Sequence, residues 1–234
     1  MKGGTVDLTG ALIAEAIRVP TTYPCSPEAL VETIGVIARQ SPPATRVSLG
    51  FPGMVRAGVV LSAPHFITRK GPGTKVDPQM KAAWDRFPLA EHVAAALGLP
   101  CRLGNDADVQ GLAAIEGTGL ELVITLGTGF GSAVFLDGEL GPHLELSHHP
   151  LSKGKSYNEV VGEAARVKLG KSKWSKHVGE AIDAAQALVF FDRLYLGGGN
   201  AAKLAESVAA RGTVVPNADG ILGGAKLWSL ARMP

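Results

Sequence analysis

The sequence predicts an α/β protein built as two lobes. Three features carry that prediction. Short apolar, strand-like runs alternate with stretches of helical period along the chain. The alternation runs through two cycles, the second opening at Leu122. The chain has 30 glycines, many beside strand-like runs, and these supply the tight turns such connections need. Two cycles predict two lobes, with ligands expected in the cleft between them.

The elements follow in chain order. Residues 5–8 and 12–19 read as two strands joined by a turn at Gly10. Ser26, followed by Pro27 and Glu28, is a helix start: serine caps and proline takes the first helical position, and the helix runs to Ala38. Residues 46–49 form a buried strand leading into Gly50-Phe51-Pro52-Gly53. Residues 55–61 read as a further strand, centred on the turn-like Arg56-Ala57-Gly58. Residues 67–80, polar and rich in glycine and proline, read as a loop. A helix over 89–97 ends at Gly98. A strand over 101–103 precedes a helix over 106–116. The second cycle has a strand over 122–126, a turn over 127–131 and a strand over 132–136. Helices fit 157–169 and 174–190, a strand 193–196, a helix 201–211, a strand 213–215 and a final helix from about 220 to 230.

Composition bounds the function. Apolar residues at 46% and charged residues at 19% indicate a folded core rather than a disordered chain. No apolar run reaches the roughly 20 residues of a membrane helix. The N-terminus carries no secretory pattern, and Cys25 and Cys101 stand far apart, so the expectation is a cytoplasmic protein with free thiols. A net charge of +2 does not indicate a nucleic-acid binder. The positive charge is uneven, however. Lys153, Lys155, Arg166, Lys168, Lys171, Lys173 and Lys176 are set against only Glu159 and Glu163. Such a stretch is either a solvated helix face or a surface for a polyanion.

Four segments carry candidate chemistry. Gly127-Thr128-Gly129-Phe130-Gly131 lies between two strands, so it is neither a dinucleotide fingerprint, which needs a following helix, nor a Walker loop, which needs Gly-Lys-Ser/Thr. Its backbone N–H groups can form a phosphate nest, to which Thr128 adds a hydroxyl; the plain alternative is a hairpin turn. Gly104-Asn105-Asp106-Ala107-Asp108 sits where a strand meets a helix. Asp106 there can take a proton from a sugar hydroxyl and Asn105 can bind a neighbouring hydroxyl, or both simply cap the helix. Glu145 and His148, in Leu144-Glu145-Leu146-Ser147-His148-His149, can bind two hydroxyls; the histidine pair lacks the cysteines of a zinc site. Gly197-Gly198-Gly199-Asn200 joins a strand to a predicted helix and suits a nucleotide or polyphosphate, or is a tight connection.

In this order the four segments resemble the ROK family of sugar kinases, most closely its polyphosphate glucokinases. The resemblance covers nearly the whole chain. Gly50-Phe51-Pro52-Gly53 with Val59-Val60 is similar to the family's sugar-lobe signature. Asn105-Asp106-Ala107 is similar to its catalytic motif, residues 126–131 to its second phosphate loop, and Gly197 to Gly199 to its adenosine-side loop. Residues 124–138 and the Glu145/His148 pair point to the polyphosphate glucokinases within it. The resemblance implies the two-lobed fold of actin, hexokinase and the heat-shock chaperone ATPases. It implies a sugar-side lobe over 1–105 and a phosphate-binding lobe over 106–234, with the last helix packing back toward the first.

It further implies phosphoryl transfer from polyphosphate or ATP, with Mg²⁺, to the primary hydroxyl of glucose or a related hexose. Asp106 is the implied general base. Asn105, Glu145, His148 and Glu159 are the implied sugar ligands; Gly127, Thr128, Gly129 and Gly131 bind phosphate; Gly197, Gly198, Gly199 and Asn200 bind the nucleotide. Where ATP-dependent members carry a cysteine-rich zinc motif this chain reads Lys153-Gly154-Lys155-Ser156-Tyr157, so no zinc is expected. A homodimer is expected from the family, and neither a membrane nor a nucleic-acid partner.

One departure stands out. The family opens with a strand and an Asp-x-Gly-Gly phosphate loop, whereas this sequence opens Met1-Lys2-Gly3-Gly4-Thr5 and its Val6–Leu8 run matches the family's second strand. The first strand is thus expected to be missing, through a misassigned start or a truncated product, leaving unpaired backbone beside the 46–49 strand. The rival expectation is an impaired, sugar-binding or regulatory member.

Overall fold

The computed structural model describes residues 1–216 and 221–231. Its contacts group the chain into two compact units, Met1–Ala113 with the described C-terminal stretch, and the residues from Ala114 to 216. The sequence divided the chain after residue 105; the contacts group the helix that starts at Asp106 with the first unit.

The first unit opens with β1 (Lys2–Gly3) antiparallel to β2 (Ile17–Arg18). Longer strands were expected here. The Asp7 carboxylate instead accepts from the N–H groups of Thr9 (2.8 Å) and Ala11 (3.1 Å), curling residues 7–11 into a turn and leaving a single bridge between Val6 and Leu12. Helix α1 (Pro27–Gln40) starts as the sequence indicates: Ser26 Oγ accepts from the Ala29 N–H, proline follows, and Leu30, Ile34 and Ile37 turn inward. Strand β3 (Val47–Phe51) comes next. The single strand expected over 55–61 is a hairpin of β4 (Val55–Arg56) and β5 (Val59–Val60), because Ala57 and Gly58 both take positive φ, 47° and 81°.

Helix α2 (Pro78–Trp84) lies within and beyond the expected loop. Asp77 Oδ1 caps it by accepting from Gln79 N–H (3.0 Å), and Pro78 starts it. It ends on Trp84, whose Nε1–H donates to the Cys25 carbonyl (2.8 Å) inside a cluster of Phe51, Phe66 and Phe87. Helix α3 (Leu89–Leu97) closes at Gly98 in the left-handed conformation, φ 66°. Strand β6 (Cys101–Asn105) pairs parallel with β3, Val47 opposite Cys101 and Phe51 opposite Asn105, and runs straight into α4 (Asp106–Ala114). The β1–β2 and β3–β6 ladders are separate sheets.

The second unit is a five-stranded sheet. Strand β7 (Leu120–Leu126) pairs antiparallel with β8 (Phe130–Leu136), which pairs with β9 (Glu139–Leu140). The turn between β7 and β8 is shorter than expected: Gly131 lies inside β8, opposite Thr125. A small hairpin of β10 (Pro150–Ser152) and β11 (Lys155–Ser156) leads to α5 (Tyr157–Val161) and α6 (Glu163–Val189). Gly170 leaves helical geometry (φ 74°, ψ 166°) and kinks α6. Strand β12 (Arg193–Gly197) lies parallel to β7 on its other side, with α7 (Glu206–Ala209) and edge strand β13 (Thr213–Val214) following. The helix expected over 201–211 is a 3₁₀ turn at Ala201–Lys203 and the short α7. Leu122, Ile124, Leu126, Leu196, Trp174, Val178 and Ile182 form the core. β7 is buried on both faces, and its Glu121 carboxylate is satisfied internally. It accepts from the N–H groups of Glu116, Gly117 and Thr118 and from the Tyr195 hydroxyl (2.7 Å).

Helix α8 (Gly223–Lys226), in the first unit, is shorter than the expected final helix, whose start at 220 lies outside the described residues. A Cβ on Gly223 would stand 1.7 Å from the Val109 carbonyl oxygen, so only glycine allows this approach. Arg102 donates to the Leu227 and Leu230 carbonyls and stacks on Trp228. No described helix is long and apolar enough to cross a membrane.

Candidate active site

The first unit presents Asn105 and Asp106 at the β6–α4 joint. Asn105 is buried, and its side chain is fully engaged. Nδ2 donates to the Gly53 carbonyl (2.9 Å) and, at 3.5 Å, toward that of Phe51, while Oδ1 accepts from the Ala107 N–H (2.8 Å). It therefore ties the Gly50–Gly53 turn to the start of α4. Asp106 is exposed at the first residue of α4, where the helix end favours negative charge. Its Oδ1 accepts from the Ala107 N–H (2.9 Å). An open depression of about 460 Å³ in this unit, lined by Ser62, Lys81, Trp84 and Asp85 among others, includes neither residue.

The second unit presents the glycine turn. Gly127 N–H donates to the Gly129 carbonyl (3.0 Å) and Phe130 N–H to Asn158 Oδ1 (2.7 Å). Among the described residues, the N–H groups of Thr128 and Gly129 donate to no protein acceptor. Two adjacent open amides with a hydroxyl beside them form a small anion cradle.

Three sides of that turn are braced. Asn158 sits so close that a Cβ on Gly129 would meet it at 2.6 Å. The N-terminus of α6 abuts the turn through Glu163 N–H to the Thr128 carbonyl (3.2 Å). From the turn after β12, Asn200 N–H donates to the Leu126 carbonyl (2.9 Å), and Asn200 Nδ2 to the Gly127 carbonyl (3.1 Å) and to Glu163 Oε2 (2.7 Å). The fold thus brings the 127–131 and 197–200 segments together. Gly198 makes this possible: with φ 83°, its Cβ position lies 2.4 Å from the Leu126 carbonyl oxygen. Asn200 is buried, and its side chain holds the two loops in register. Glu163 also takes a bidentate pair from Arg166 (2.7 and 2.6 Å), which, with Asn200, holds its carboxyl down to about 2.

Glu145 and His148 share one loop. The Glu145 carboxylate faces His143 Nε2 (3.4 Å) and accepts from the Ser147 hydroxyl; the His143 contact first, and Ser147 with it, pull its pKa below the ordinary range. Glu159 is exposed and completes the cap of α5. Oε2 accepts from the Ser156 N–H (2.9 Å) and hydroxyl (3.0 Å), which lowers its pKa. His143, Ser147 and Asn158 were not singled out in the sequence, and Glu163 and Arg166 were noted only as charges of the basic stretch. Glu163-x-x-Arg166 was readable as a helical pair, but the bracing by Asn158 was not, since its partner is 28 positions away.

The profile of the ROK family matches residues 3–155. The chain belongs to the ROK family. The polyphosphate glucokinase of Mycobacterium tuberculosis is 31% identical over 242 aligned positions, spanning 96% of this chain and 86% of that protein. The inorganic polyphosphate/ATP-glucomannokinase of Arthrobacter sp. strain KM superposes with a TM-score of 0.78 at 31% identity, over 99% of this chain and 94% of its own. A ROK family glucokinase from Streptomyces griseus, solved with glucose and AMPPNP, shares the fold (TM-score 0.71, 17% identity, 95% and 93% of the two chains). The fold is the α/β ROK fold, two-lobed as in actin and hexokinase.

Proposed function

We propose that this ROK family member is a hexose kinase, a phosphotransferase that moves a phosphoryl group from polyphosphate or ATP to the primary hydroxyl of glucose. The observation that carries the reading is the turn at Gly127–Gly129. The turn, with its two open amides, is braced by α5, α6 and the Gly198–Asn200 turn after β12 in a chain 31% identical to a polyphosphate glucokinase. In this reading, Thr128 and Gly129 grip the transferring phosphoryl group and Gly131 shapes the strand behind it. Gly197 to Asn200 support the donor side. Asp106 accepts the hydroxyl proton as the sugar oxygen bonds to phosphorus, and the remaining phosphate chain or ADP leaves with the bond's electrons. Glu145 and His148 orient sugar hydroxyls, with Asn105 and Glu159 forming the frame around them.

Among the described residues no three His, Cys, Asp or Glu side chains gather as a metal site. A Mg²⁺ ion would therefore be held mainly by the donor's phosphates, where it neutralises charge. No step assigned to the chain's residues runs through it.

The test is glucose phosphorylation measured separately with polyphosphate and with ATP. Asp106→Asn is expected to lower kcat by about 10²–10⁴-fold while the protein stays folded, and His149→Ala is expected to leave turnover in place. A second reading, sugar binding without catalysis, draws on the split β1–β2 and β3–β6 sheets. Glucose binding without turnover on either donor would establish it.

A further inference from the structure

A basic segment sits beside the phosphate cradle and plays no part in the chemistry above. Lys168, Lys171, Lys173 and Lys176 are exposed, and none forms an ion pair among the described residues. No acidic residue occurs between Glu163 and Glu180. A merely solvated helix usually interleaves acids with such lysines, and uncompensated like charges one turn apart destabilise it. This stretch carries its repulsion unrelieved in a chain whose overall charge is only +2.

Its position is set by the fold. α6 begins at the cradle, with Glu163 N–H on the Thr128 carbonyl and Gly162 so close that a Cβ would meet that oxygen at 3.0 Å. The kink at Gly170 then redirects the chain. Beyond it, buried Trp174 donates through Nε1 to the Val161 carbonyl (2.8 Å), one residue before Gly162. The segment after the kink is therefore tethered to Val161, next to the Gly162–Glu163 start of α6 that abuts the turn, rather than carried away along a straight helix.

We infer that these lysines bind the distal phosphates of a polyphosphate chain whose reacting end lies on the Thr128–Gly129 amides. The inference rests on the kinase reading and deepens it. A nucleoside triphosphate ends after three phosphates and cannot exploit a row of cations beyond the cradle, whereas a polyphosphate carries charge on every unit. The lysines would thus discriminate between donors by length and leave the reacting phosphate untouched.

The experiment compares wild type with a Lys171→Gln/Lys173→Gln/Lys176→Gln variant and its Lys→Arg counterpart. The donors are long-chain polyphosphate, tripolyphosphate and ATP. The glutamine variant is expected to raise KM for the long chain about ten-fold and to flatten its salt dependence by about two charges. Its kcat, and KM for both short donors, should stay at wild-type values, and the arginine variant should behave as wild type. Equal effects on long and short donors, or no effect, would overturn the inference. So would single-stranded DNA binding as tightly as long polyphosphate and losing affinity in the same variant, since that marks a general polyanion surface. If wild type turns over with no donor, the kinase reading falls. Direct titration with long-chain polyphosphate then decides the inference separately, and unchanged affinity in the glutamine variant would sink it.

Discussion

Individual side chains in this protein are mostly held by their neighbours before any substrate arrives. Glu145 is the clearest case. His143 and Ser147 pin a carboxylate that the proposed function aims at sugar hydroxyls, and both lie within two residues of it in sequence. Replacing His143 with phenylalanine should raise the sugar KM by roughly ten-fold, the worth of one charge-assisted hydrogen bond, with kcat nearly unchanged. Steady-state kinetics at saturating donor would check it. Glu163 gives a pH prediction. Its folded pKa is depressed from 4.5 to about 2, so the unfolded state binds the proton first and the stabilisation is fully present above 4.5. It is lost as pH falls from 4.5 through about 2. Urea unfolding of wild type and Glu163→Gln should therefore show a stability gap at pH 7 that closes across that window.

At the scale of elements, the sheet of the second unit is assembled around two tight features. Strand β12 can reach β7 only because position 198 lacks a side chain and has φ 83°. Gly198→Ala should cost about 3 kcal/mol or more, through strain and the clash with the Leu126 backbone, and thermal unfolding would measure it. Glu121 is the second. It is fully buried in β7 and gathers the N–H groups of Glu116, Gly117 and Thr118, in the turn after α4, together with the Tyr195 hydroxyl, whose own pKa is pushed up to about 12 by burial and by this carboxylate. Glu121→Leu strands those donors, and a loss of about 3 kcal/mol is expected.

For the whole molecule, the two units differ in how completely their sheets are made. In the second unit β7 has a ladder partner on each side. In the first, among the described residues, β3 pairs only with β6, and Val47, Ser48 and Leu49 are half-buried and Gly50 exposed, where the interior strand of an α/β sheet would be covered. Hydrogen exchange should show this directly. The amides of β7 and β12 are expected to exchange slowest, and those of β1, β2 and β3 at least about ten-fold faster. Equal protection of β3 and β7 would contradict it.

Much of this was legible in the residues themselves. The α1 cap at Ser26, the Gly98 stop of α3, the strand-to-helix joint at Asp106 and the paired strands about Gly127 all depend on local rules of capping, left-handed glycine and alternation, which act within a few positions. The misses share one cause, competition from a nearby or distant partner. Asp7 folded a predicted strand into a turn, and Asp77 and Pro78 started a helix in a predicted loop. Sequence alone determined the family, the order of the elements and the identity of the candidate residues. Tertiary structure decided which of them are occupied as scaffold and which are left open. Asn105, Glu159 and Asn200 spend their polar atoms on backbone and side-chain partners, whereas Thr128 and Gly129 keep their amides available. That division comes from hydrogen bonds between residues up to 73 positions apart, and spacing along the chain carries no record of them.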